Sequence, residues 1–339
     1  MQEARHSGNL VIVPGAVVET VLAELGKECR QVVEDVYIEA ARGGLVNPDS
    51  LFLRPDPDRR ERAIALPAYV PGAAPAMGVK WISSFPGNLA LGLPRASALI
   101  ALNDVRTGLA TAVLEGSRIS GHRTALSAAV GARALRGGDS RIGKLAVIGT
   151  GYISATTLAV MAGEGWTAGS LAVHDLDADR ARAFAAERTH GLASSVSVAG
   201  TLREALDDAD VVLFATTAVV PYVTDAGWFK PGAVVLHMSL RDLEPEAMAD
   251  AAHVVDDVSH ALREKTSLAL AVERGTVRRE DITAIGDHLR GAARPSRGRT
   301  VVYAPFGLGS LDIAIGALVL ERAAGREGVV TVPDFAGLL

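Results

Sequence analysis

Hydrophobic positions follow one pattern up to about residue 120. A short apolar strand precedes a long amphipathic helical region that ends near Ala41, and short apolar runs broken by Pro and Gly come after it. The predicted strands are Leu10–Val13, Leu51–Leu53, Ala63–Leu66, Met77–Ser83, Ser97–Asn103 and Ala110–Leu114. Short strands between turn residues are typical of hairpins. This part of the chain is therefore predicted to form an α+β domain.

A different pattern begins at Lys144, where continuous apolar runs alternate with helical segments. The runs are Leu145–Ile148, Leu171–Val173, Val211–Ala215 and Ala233–Met238, with helices at Ala155–Ala162 and Asp179–Arg188. Apolar strands that alternate with helices indicate a parallel sheet covered on both faces, so the second domain is predicted to be doubly wound. An alanine-rich helix, Arg123–Arg136, is predicted to connect the two parts, and a last helix, Leu311–Ala324, is expected to return to the first domain.

Composition excludes several classes of protein. The 339 residues suit two domains, and a net charge of −5 with 4% aromatic residues offers no surface typical of nucleic-acid binding. Cys29 has no second cysteine, and no His-x-x-x-His pair occurs, so neither a disulfide nor a metal site is predicted. No apolar run approaches the roughly 18 residues of a membrane span, and residues 1–7 lack a secretory signal pattern. A cytoplasmic protein is expected.

A glycine turn follows the first strand of the second pattern. Gly149 permits a tight turn, Gly151 lets the backbone approach a pyrophosphate, and Ser154, in place of the usual third glycine, is small enough for the helix to pack on the strand. Asp175 ends the next strand, at the distance where a carboxylate takes the ribose hydroxyls of a dinucleotide. This acid favours NAD, although two arginines close behind it, Arg180 and Arg182, leave NADP open. The predicted cofactor contacts are Arg123, Gly149, Thr150, Gly151, Tyr152, Ile153, Asp175, Thr217, Met238 and Ser239.

Four cations of the first domain are candidates for binding a carboxylate-rich substrate. They are Arg54, Lys80, Arg95 and Arg123. Lys80 is notable because it ends an apolar run and is flanked by apolar residues in a predicted strand. Arg123 is notable because it opens the predicted connector helix, whose N-terminus attracts anions. Guanidinium groups bind carboxylates through two hydrogen bonds, and lysine supplies a point charge. For each of the four, an ordinary surface charge is the alternative interpretation.

Acidic side chains follow two strands of the second domain. Asp242 comes just beyond the strand Ala233–Met238, at the edge where doubly wound sheets bind their ligands. It is therefore the candidate general acid or base, with a turn aspartate as the alternative. Asp256 and Asp257 are predicted to be solvated loop residues.

Together these segments resemble the ornithine cyclodeaminase and mu-crystallin family of NAD(P)-dependent enzymes. The family's lysine followed by Pro-x-Asn looks like Lys80 to Asn88, its Asp-x-x-Thr-Gly turn like Asp104 to Gly108, and its Arg-Thr-Ala helix start like Arg123 to Ala125. Its nucleotide loop matches Gly149 to Ser154, and its acid or base falls on Asp242. The resemblance implies a Rossmann-like doubly wound NAD-binding domain, 122–304, inserted in a split α+β substrate and dimerisation domain, 1–121 with 305–339.

Within the family, three segments are similar to the N-(2-amino-2-carboxyethyl)-L-glutamate dehydrogenases, which make L-2,3-diaminopropionate. The segments are Lys80–Asn88, Gly92–Ser97 and Ala304–Gly309. Two departures from ornithine cyclodeaminases argue against cyclisation of ornithine: Ala63–Pro67 lacks the glutamate of their Glu-Leu-Met-Pro, and a lysine shortly after the catalytic aspartate is replaced near Glu246.

This resemblance implies a reaction and a set of partners. NAD would accept hydride from the glutamyl α-carbon, Asp242 would shuttle protons, and Lys80 would hold the reacting carboxylate, with Arg54, Arg95 and Arg123 as further clamps. It also implies a homodimer, a PLP-dependent synthase as a pathway partner, and siderophore or peptide-antibiotic precursor synthesis. An ornithine cyclodeaminase, a ketimine or amino-acid dehydrogenase, and a non-catalytic mu-crystallin-like binder stay open as alternatives.

Overall fold

The computed structural model describes residues 8–56, 58–294 and 298–338. Residues 1–7, on which the prediction about a secretory signal rests, lie outside these ranges. The chain forms two compact units. The first consists of the described residues of Met1–Val36, Gly43–Arg123 and Leu308–Leu339, and the second of those of Tyr37–Arg42 and Thr124–Gly307.

The secondary structure begins with a strand, two helices and a run of strands. In chain order these are β1 Leu10–Val13, α1 Gly15–Glu24, α2 Gly26–Ala41, β2 Leu51–Leu53, β3 Arg62–Val70, β4 Ala76–Ser84, β5 Ala96–Asn103, β6 Ala110–Glu115 and α3 Gly116–Leu135, with a 3₁₀ turn at Pro86–Leu91. Strands and helices then alternate. They are β7 Arg141–Ile148, α4 Tyr152–Gly163, β8 Thr167–His174, α5 Ala178–Glu187, β9 Ala193–Val198, α6 Leu202–Leu206, β10 Val211–Phe214, β11 Val234–His237, α7 Pro245–Met248, β12 Ala252–Val255, α8 Val258–Ala261, α9 Ser267–Glu273, β13 Ile282–Ala284, α10 Ile285–Leu289 and β14 Val301–Tyr303, with 3₁₀ turns at Ala226–Trp228 and Arg279–Asp281. The chain closes with α11 Gly309–Ala323 and β15 Val330–Val332.

The first unit is a seven-stranded mixed sheet in the order β15-β1-β6-β5-β4-β3-β2. Helix α11 packs on β3, β4 and β5 and also contacts α1. Its close approach depends on Gly309, because a Cβ at this position would lie only 2.9 Å from the carbonyl oxygen of Leu66 on β3. The C-terminal segment thus supplies the helix that covers one face of this sheet.

The second unit is an eight-stranded sheet in the order β13-β12-β14-β11-β10-β7-β8-β9, and its strands pair in parallel. The central strands are apolar on both faces; all four residues of β10 and all four of β11 are buried. The chain leaves β7 toward β8 on one side and returns to β10 on the other, so the strand order reverses between β7 and β10. Ligands of doubly wound sheets bind at such a reversal, beyond the carboxyl ends of the strands.

The predicted fold class, a Rossmann-like unit inserted in a split α+β unit, is confirmed. Two helix predictions were wrong in detail. The long N-terminal helical region is two helices that break between Glu24 and Gly26. The connector helix begins at Gly116 rather than Arg123, because the carboxylate of Glu115 accepts hydrogen bonds from the backbone N–H groups of Ser117 and Arg118 and so caps the earlier start. Among the helices of the described ranges, none is long and apolar enough to cross a bilayer.

Candidate active site

The glycine turn that follows β7 lies at the reversal of strand order in the second unit. Gly149 has φ +88°, a region that favours glycine, and a Cβ there would lie 2.7 Å from the carbonyl oxygen of Ala215 after β10. At Gly151 a Cβ would meet nothing within 4 Å, so open space borders this residue. Ser154, which stands in place of a third glycine, is fully buried and donates a 2.6 Å hydrogen bond to the carbonyl oxygen of Gly149. The serine therefore ties the helix start to the turn.

Asp175 stabilises the same turn from the end of β8. Its Oδ2 accepts hydrogen bonds from the backbone N–H of Thr150 at 2.8 Å and from the Thr150 hydroxyl at 2.7 Å. Its Oδ1 accepts from the backbone N–H of Asp177 at 3.1 Å. Burial by itself raises the pKa of Asp175, but these hydrogen bonds and the charge of Arg180 outweigh it and hold the pKa below its ordinary value. An ionised carboxylate at this position favours a free ribose and disfavours a 2′-phosphate.

The turn has the shape and polarity that a dinucleotide pyrophosphate requires. Helix α4 begins directly after Gly151, which caps it without a side chain and leaves open space at the positive end of the helix dipole. Of the other predicted contacts, Tyr152 is 59% exposed and Ile153 is half-buried at the start of α4. Thr217 is exposed in the loop after β10, and Met238 and Ser239 follow β11. The predicted contacts of this unit therefore lie on loops and a helix start at the carboxyl edge of one sheet.

Asp242 is fully buried in the loop after β11 and is surrounded by hydrogen-bond donors. Its Oδ1 accepts from the hydroxyl groups of Thr216 and Tyr222, the latter at 2.8 Å. Its Oδ2 accepts from His237 Nε2 at 2.9 Å and from the Ser239 hydroxyl at 2.5 Å. Burial raises the pKa of Asp242, but the hydrogen bonds and the charge of His237 outweigh it, so the pKa lies below its ordinary value.

This arrangement defines what Asp242 can do chemically. A carboxylate offers about four acceptor positions, and four donors occupy them here. Asp242 is therefore held ionised and oriented, and a proton reaches or leaves it through a neighbouring hydroxyl or imidazole. Ser239, predicted from sequence as a cofactor contact, is one of these neighbours. Burial raises the pKa of the Tyr222 phenol and Asp242 adds to the effect, so this hydroxyl stays protonated.

Lys80 and Arg123 form a buried cation cluster in the first unit around one acid, Asp312. Lys80 is 2% exposed and lies in the middle of β4, inside the strand that the sequence predicts at Met77–Ser83. Its Nζ lies 2.5 Å from Asp312 Oδ2, and Arg123 Nε lies 3.2 Å from Asp312 Oδ1. The Ser120 hydroxyl lies 3.1 Å from Lys80 Nζ and 3.5 Å from Arg123 Nη2. With all three charged groups ionised, the cluster carries a net charge of one positive.

Arg123 lies in the cation cluster, but it is not at a helix N-terminus, as the sequence predicted. Arg123 is two turns inside α3, where the helix N-terminus does not act on it, and it is 8% exposed. Arg54 and Arg95 lie outside the cluster and are exposed. Arg54 stacks on Phe52, with its guanidinium carbon 5.5 Å from the ring centre. The loop that ends at Arg95 is closed by a 2.8 Å hydrogen bond from the backbone N–H of Phe85 to the carbonyl oxygen of Arg95. Their roles in substrate binding stay predictions.

Asp256 is not the solvated loop residue that its sequence context suggested. It is 2% exposed and accepts hydrogen bonds from the backbone N–H groups of Asp257, Phe306 and Gly307 at 2.9, 3.0 and 2.6 Å. Burial raises the pKa of this carboxyl, against the hydrogen bonds that lower it. Asp256 thus fixes the loop after β14 by accepting main-chain donors that would otherwise lack partners.

Sequence reasoning missed five polar residues of these clusters. They are Ser120 and Asp312 in the first unit, and Thr216, Tyr222 and His237 in the second. The sequence context of Asp312 could have indicated a buried charge, since this acid is flanked by Leu311 and Ile313 in an apolar helix segment. The indication for His237 was weaker: it is a histidine at the end of a continuous apolar strand. Within the described ranges, no group of three or more His, Cys, Asp or Glu side chains could hold a metal ion.

Comparison with known proteins adds a family and several relatives. A sequence model of the ornithine cyclodeaminase/mu-crystallin family matches residues 16–327. The chain is 28% identical to the N-((2S)-2-amino-2-carboxyethyl)-L-glutamate dehydrogenase of Staphylococcus aureus, over 89% of this chain and 93% of that one. It is 26% identical to the Δ¹-pyrroline-2-carboxylate reductase of Bacillus cereus, over 80% and 85%. An archaeal alanine dehydrogenase dimer with bound NAD superposes with a TM-score of 0.83 at 25% identity, covering 96% of this chain and 99% of that one.

Two glycine substitutions should separate the structural from the ligand-binding role of the turn. Gly149→Ala should lower the free energy of unfolding by about 1–3 kcal/mol, because the new Cβ meets a main-chain carbonyl in a strained conformation. Gly151→Ala should change it by less than about 0.5 kcal/mol yet weaken NADH binding by about tenfold or more, because the methyl group fills the space for the pyrophosphate. Denaturant unfolding and NADH fluorescence titration measure the two effects. Unchanged NADH affinity in Gly151→Ala would place the nucleotide elsewhere.

Proposed function

The chain belongs to the ornithine cyclodeaminase/mu-crystallin family, and on this premise we propose that it is an NAD-dependent dehydrogenase of N-(2-amino-2-carboxyethyl)-L-glutamate. The adduct, NAD⁺ and water would yield L-2,3-diaminopropionate, 2-oxoglutarate, NADH and a proton. Bound NAD would supply the hydride acceptor for the CH–NH bond of the secondary amine. A Staphylococcus aureus relative, matched over 93% of its own chain, carries this activity in its name, at 28% identity.

The observation that carries the proposal is the buried cation cluster with its excess positive charge. Lys80 and Arg123 share one carboxylate, Asp312, and so one further negative charge would balance them. A substrate carboxylate supplies that charge, and the proposed substrate has three. Charge-assisted hydrogen bonds in a buried site orient a ligand strongly, because few water molecules compete for the donors. Lys80 and Arg123 are therefore proposed to bind the carboxylate next to the reacting carbon.

The roles proposed in the second unit follow from its two polar clusters. The turn at Gly149–Gly151 would hold the pyrophosphate, and Asp175 would hold the adenosine ribose. Asp242 would accept the proton that the amine or water releases and return it to the leaving nitrogen, through the hydroxyl of Ser239 or Thr216. The pKa of Asp242 lies below its ordinary value, so the carboxylate is ionised at neutral pH and able to act as the acceptor.

A simpler amino-acid dehydrogenase is the second candidate, and the positions of Arg54 and Arg95 favour it. Both lie exposed outside the cation cluster, and one buried cation pair suffices for a substrate with a single carboxylate such as alanine. The structural relative named as an alanine dehydrogenase belongs to this class. The PLP-dependent partner synthase and the siderophore or antibiotic pathway stay predictions that depend on the adduct as substrate. The cytoplasmic location stays a prediction from the sequence.

A substrate panel separates these candidates. With purified protein and NAD⁺, the adduct should produce NADH and 2-oxoglutarate in equal amounts, while ornithine and alanine should produce neither. Absorbance at the NADH wavelength and a coupled 2-oxoglutarate assay measure the products. NADH from alanine with no reaction of the adduct would establish the second candidate, and proline formed from ornithine without net NADH would establish a cyclodeaminase.

Replacement of Asp242 tests the proton-transfer role. Asp242→Asn should lower kcat roughly 10²- to 10⁴-fold, because the amide cannot accept the proton, while NADH affinity changes by less than about twofold. Asp250→Asn, at an exposed acid of the same unit, is the matched control and should retain wild-type turnover. If Asp242→Asn turns over like the wild type, the carboxylate has no part in the reaction.

We also propose a homodimer, formed through the face of the first unit's sheet that is opposite to α11. Trp81 pairs with Ala65 and Leu99 on the neighbouring strands, and Ala65 pairs with Leu51 on the next, so these four residues form an apolar row across the sheet. Leu51, Trp81 and Leu99 are 64%, 38% and 41% exposed. A continuous exposed apolar row marks an interaction surface, and the alanine dehydrogenase relative is described as a dimer.

A charge placed in this row should separate the subunits. Trp81→Glu should give a monomer in sedimentation or light-scattering measurements, because an unpaired carboxylate would have to be buried at the interface. Leu176→Glu, at a fully exposed leucine of the second unit, should keep the wild-type mass. A wild-type monomer, or a Trp81→Glu variant of unchanged mass, would contradict this interface.

A further inference from the structure

Asp312 is a fully buried acid that each cation of the first unit's cluster contacts. Its Oδ2 faces Lys80 Nζ at 2.5 Å, and its Oδ1 faces Arg123 Nε at 3.2 Å, so one carboxylate holds two cations side by side. The Ser120 hydroxyl lies within 3.1 Å of Lys80 Nζ and 3.5 Å of Arg123 Nη2. The lysine ammonium, which rotates freely on its stem when exposed, is therefore held between an acid and a hydroxyl.

We propose that Asp312 is a positioning residue, which holds Lys80 and Arg123 as one oriented cation pair and keeps Lys80 protonated for binding a substrate carboxylate. The assignment of this pair to a carboxylate rests on the proposed function. The geometry of the cation pair is independent of the proposed function, because its contacts lie within one unit of the protein.

The fold supplies Asp312 from a distant part of the chain. It lies in the first turn of α11, where the helix dipole stabilises a negative charge. Gly309 lets the start of this helix approach the backbone of β3, which is the neighbour of β4 and Lys80. The carboxylate thus reaches the strand because the helix has no side chain at its point of closest contact. Leu311, Asp312 and Ile313 are all fully buried, so the start of this helix lies in the interior of the unit.

Two charged neighbours shift the pKa of Lys80 in opposite senses. Burial lowers the pKa of Lys80 to about 8; the carboxylate of Asp312 raises this pKa, and the guanidinium of Arg123 lowers it. The residues paired with Lys80 on β3 and β5 are Leu66 and Ile100, which carry no charge. The charged groups that face it among the described residues are therefore Asp312 from α11 and Arg123 from α3. Removing the acid and removing the arginine should move the protonation of Lys80 in opposite directions.

The composition of the chain allows a direct measurement of this protonation. The sequence contains five lysines, so ¹³Cε-lysine labelling gives few resonances, and loss of one in Lys80→Arg assigns Lys80. A pH titration of the full-length protein, without nucleotide or substrate, should show a midpoint near 8 for Lys80. In Asp312→Asn the midpoint should be lower by about one pH unit or more, and in Arg123→Gln it should be higher.

Matched controls separate positioning from mere stability. Glu321→Gln removes an exposed acid of the same helix and should leave the Lys80 midpoint unchanged. If Asp312→Asn fails to fold, as judged by circular dichroism, Arg123→Gln and Asp312→Glu replace it. Asp312→Glu should keep the midpoint near that of the wild type because it keeps the charge. Equal Lys80 midpoints in wild type and Asp312→Asn, or equal midpoints in wild type and Arg123→Gln, would overturn the inference.

A kinetic measurement tests the consequence for binding. Asp312→Asn should lower kcat/KM for the amino-acid substrate roughly 100-fold, mainly through KM, while NADH affinity stays unchanged. Its kcat/KM should also begin to fall at a lower pH than that of the wild type, because Lys80 loses its proton earlier. Normal kcat/KM in a folded Asp312→Asn variant would overturn the positioning role. If the adduct is not a substrate, the lysine titration still decides the protonation, so failure of the proposed function and failure of this inference give different results.

Discussion

The burial of Lys80 is the constraint on which the first unit depends. A lysine that is 2% exposed is stable only with a partner, since an uncompensated buried charge costs several kcal/mol. Its partner, Asp312, comes 232 residues later in the chain, from a helix that covers the sheet only because the C-terminal segment returns to this unit. The ion pair therefore forms only because the C-terminal segment returns to the unit that contains Lys80. An organisation in which the tail packed elsewhere would leave both Lys80 and Arg123 without their acid.

In the second unit, the buried carboxyl groups Asp242 and Asp256 are surrounded by hydrogen-bond donors. Asp242 accepts hydrogen bonds from four side chains, and Asp256 accepts from backbone N–H groups. Both lie beyond the carboxyl ends of parallel strands, where loops bring donors together from separate parts of the chain. In each case the donors hold the carboxylate in one orientation before any ligand binds. Such preorganisation is what a polar site needs in order to stabilise charge without rearrangement.

Strand alternation gives β4 two different functions at neighbouring residues. Lys80 points to the face covered by α11, and Trp81, the next residue, points to the opposite face, where it is 38% exposed. Because successive side chains of a strand point to opposite faces, β4 carries a buried cation on one face and a residue of the apolar row on the other. The proposed carboxylate site and the proposed dimer surface are therefore coupled through the register of a single strand.

The amino-acid sequence by itself determined the doubly wound unit, the glycine turn and the candidates Lys80 and Asp242, because hydrophobic period, glycine spacing and position after a strand are local signals. The inserted arrangement of the units came from the resemblance to a family, and Arg123 was chosen for a helix start that lies seven residues earlier. The strand β15 and the earlier start of α3 were missed, since the former depends on pairing with β1 and the latter on a cap by Glu115. Only the tertiary structure decided which polar groups meet. Asp312 joins Lys80 and Arg123, His237 joins Asp242, and Arg54 and Arg95 stay apart from the cluster, because these contacts form between residues brought together by packing. A short-range pattern can indicate that a charge will be buried, but its partner is chosen by the path of the whole chain.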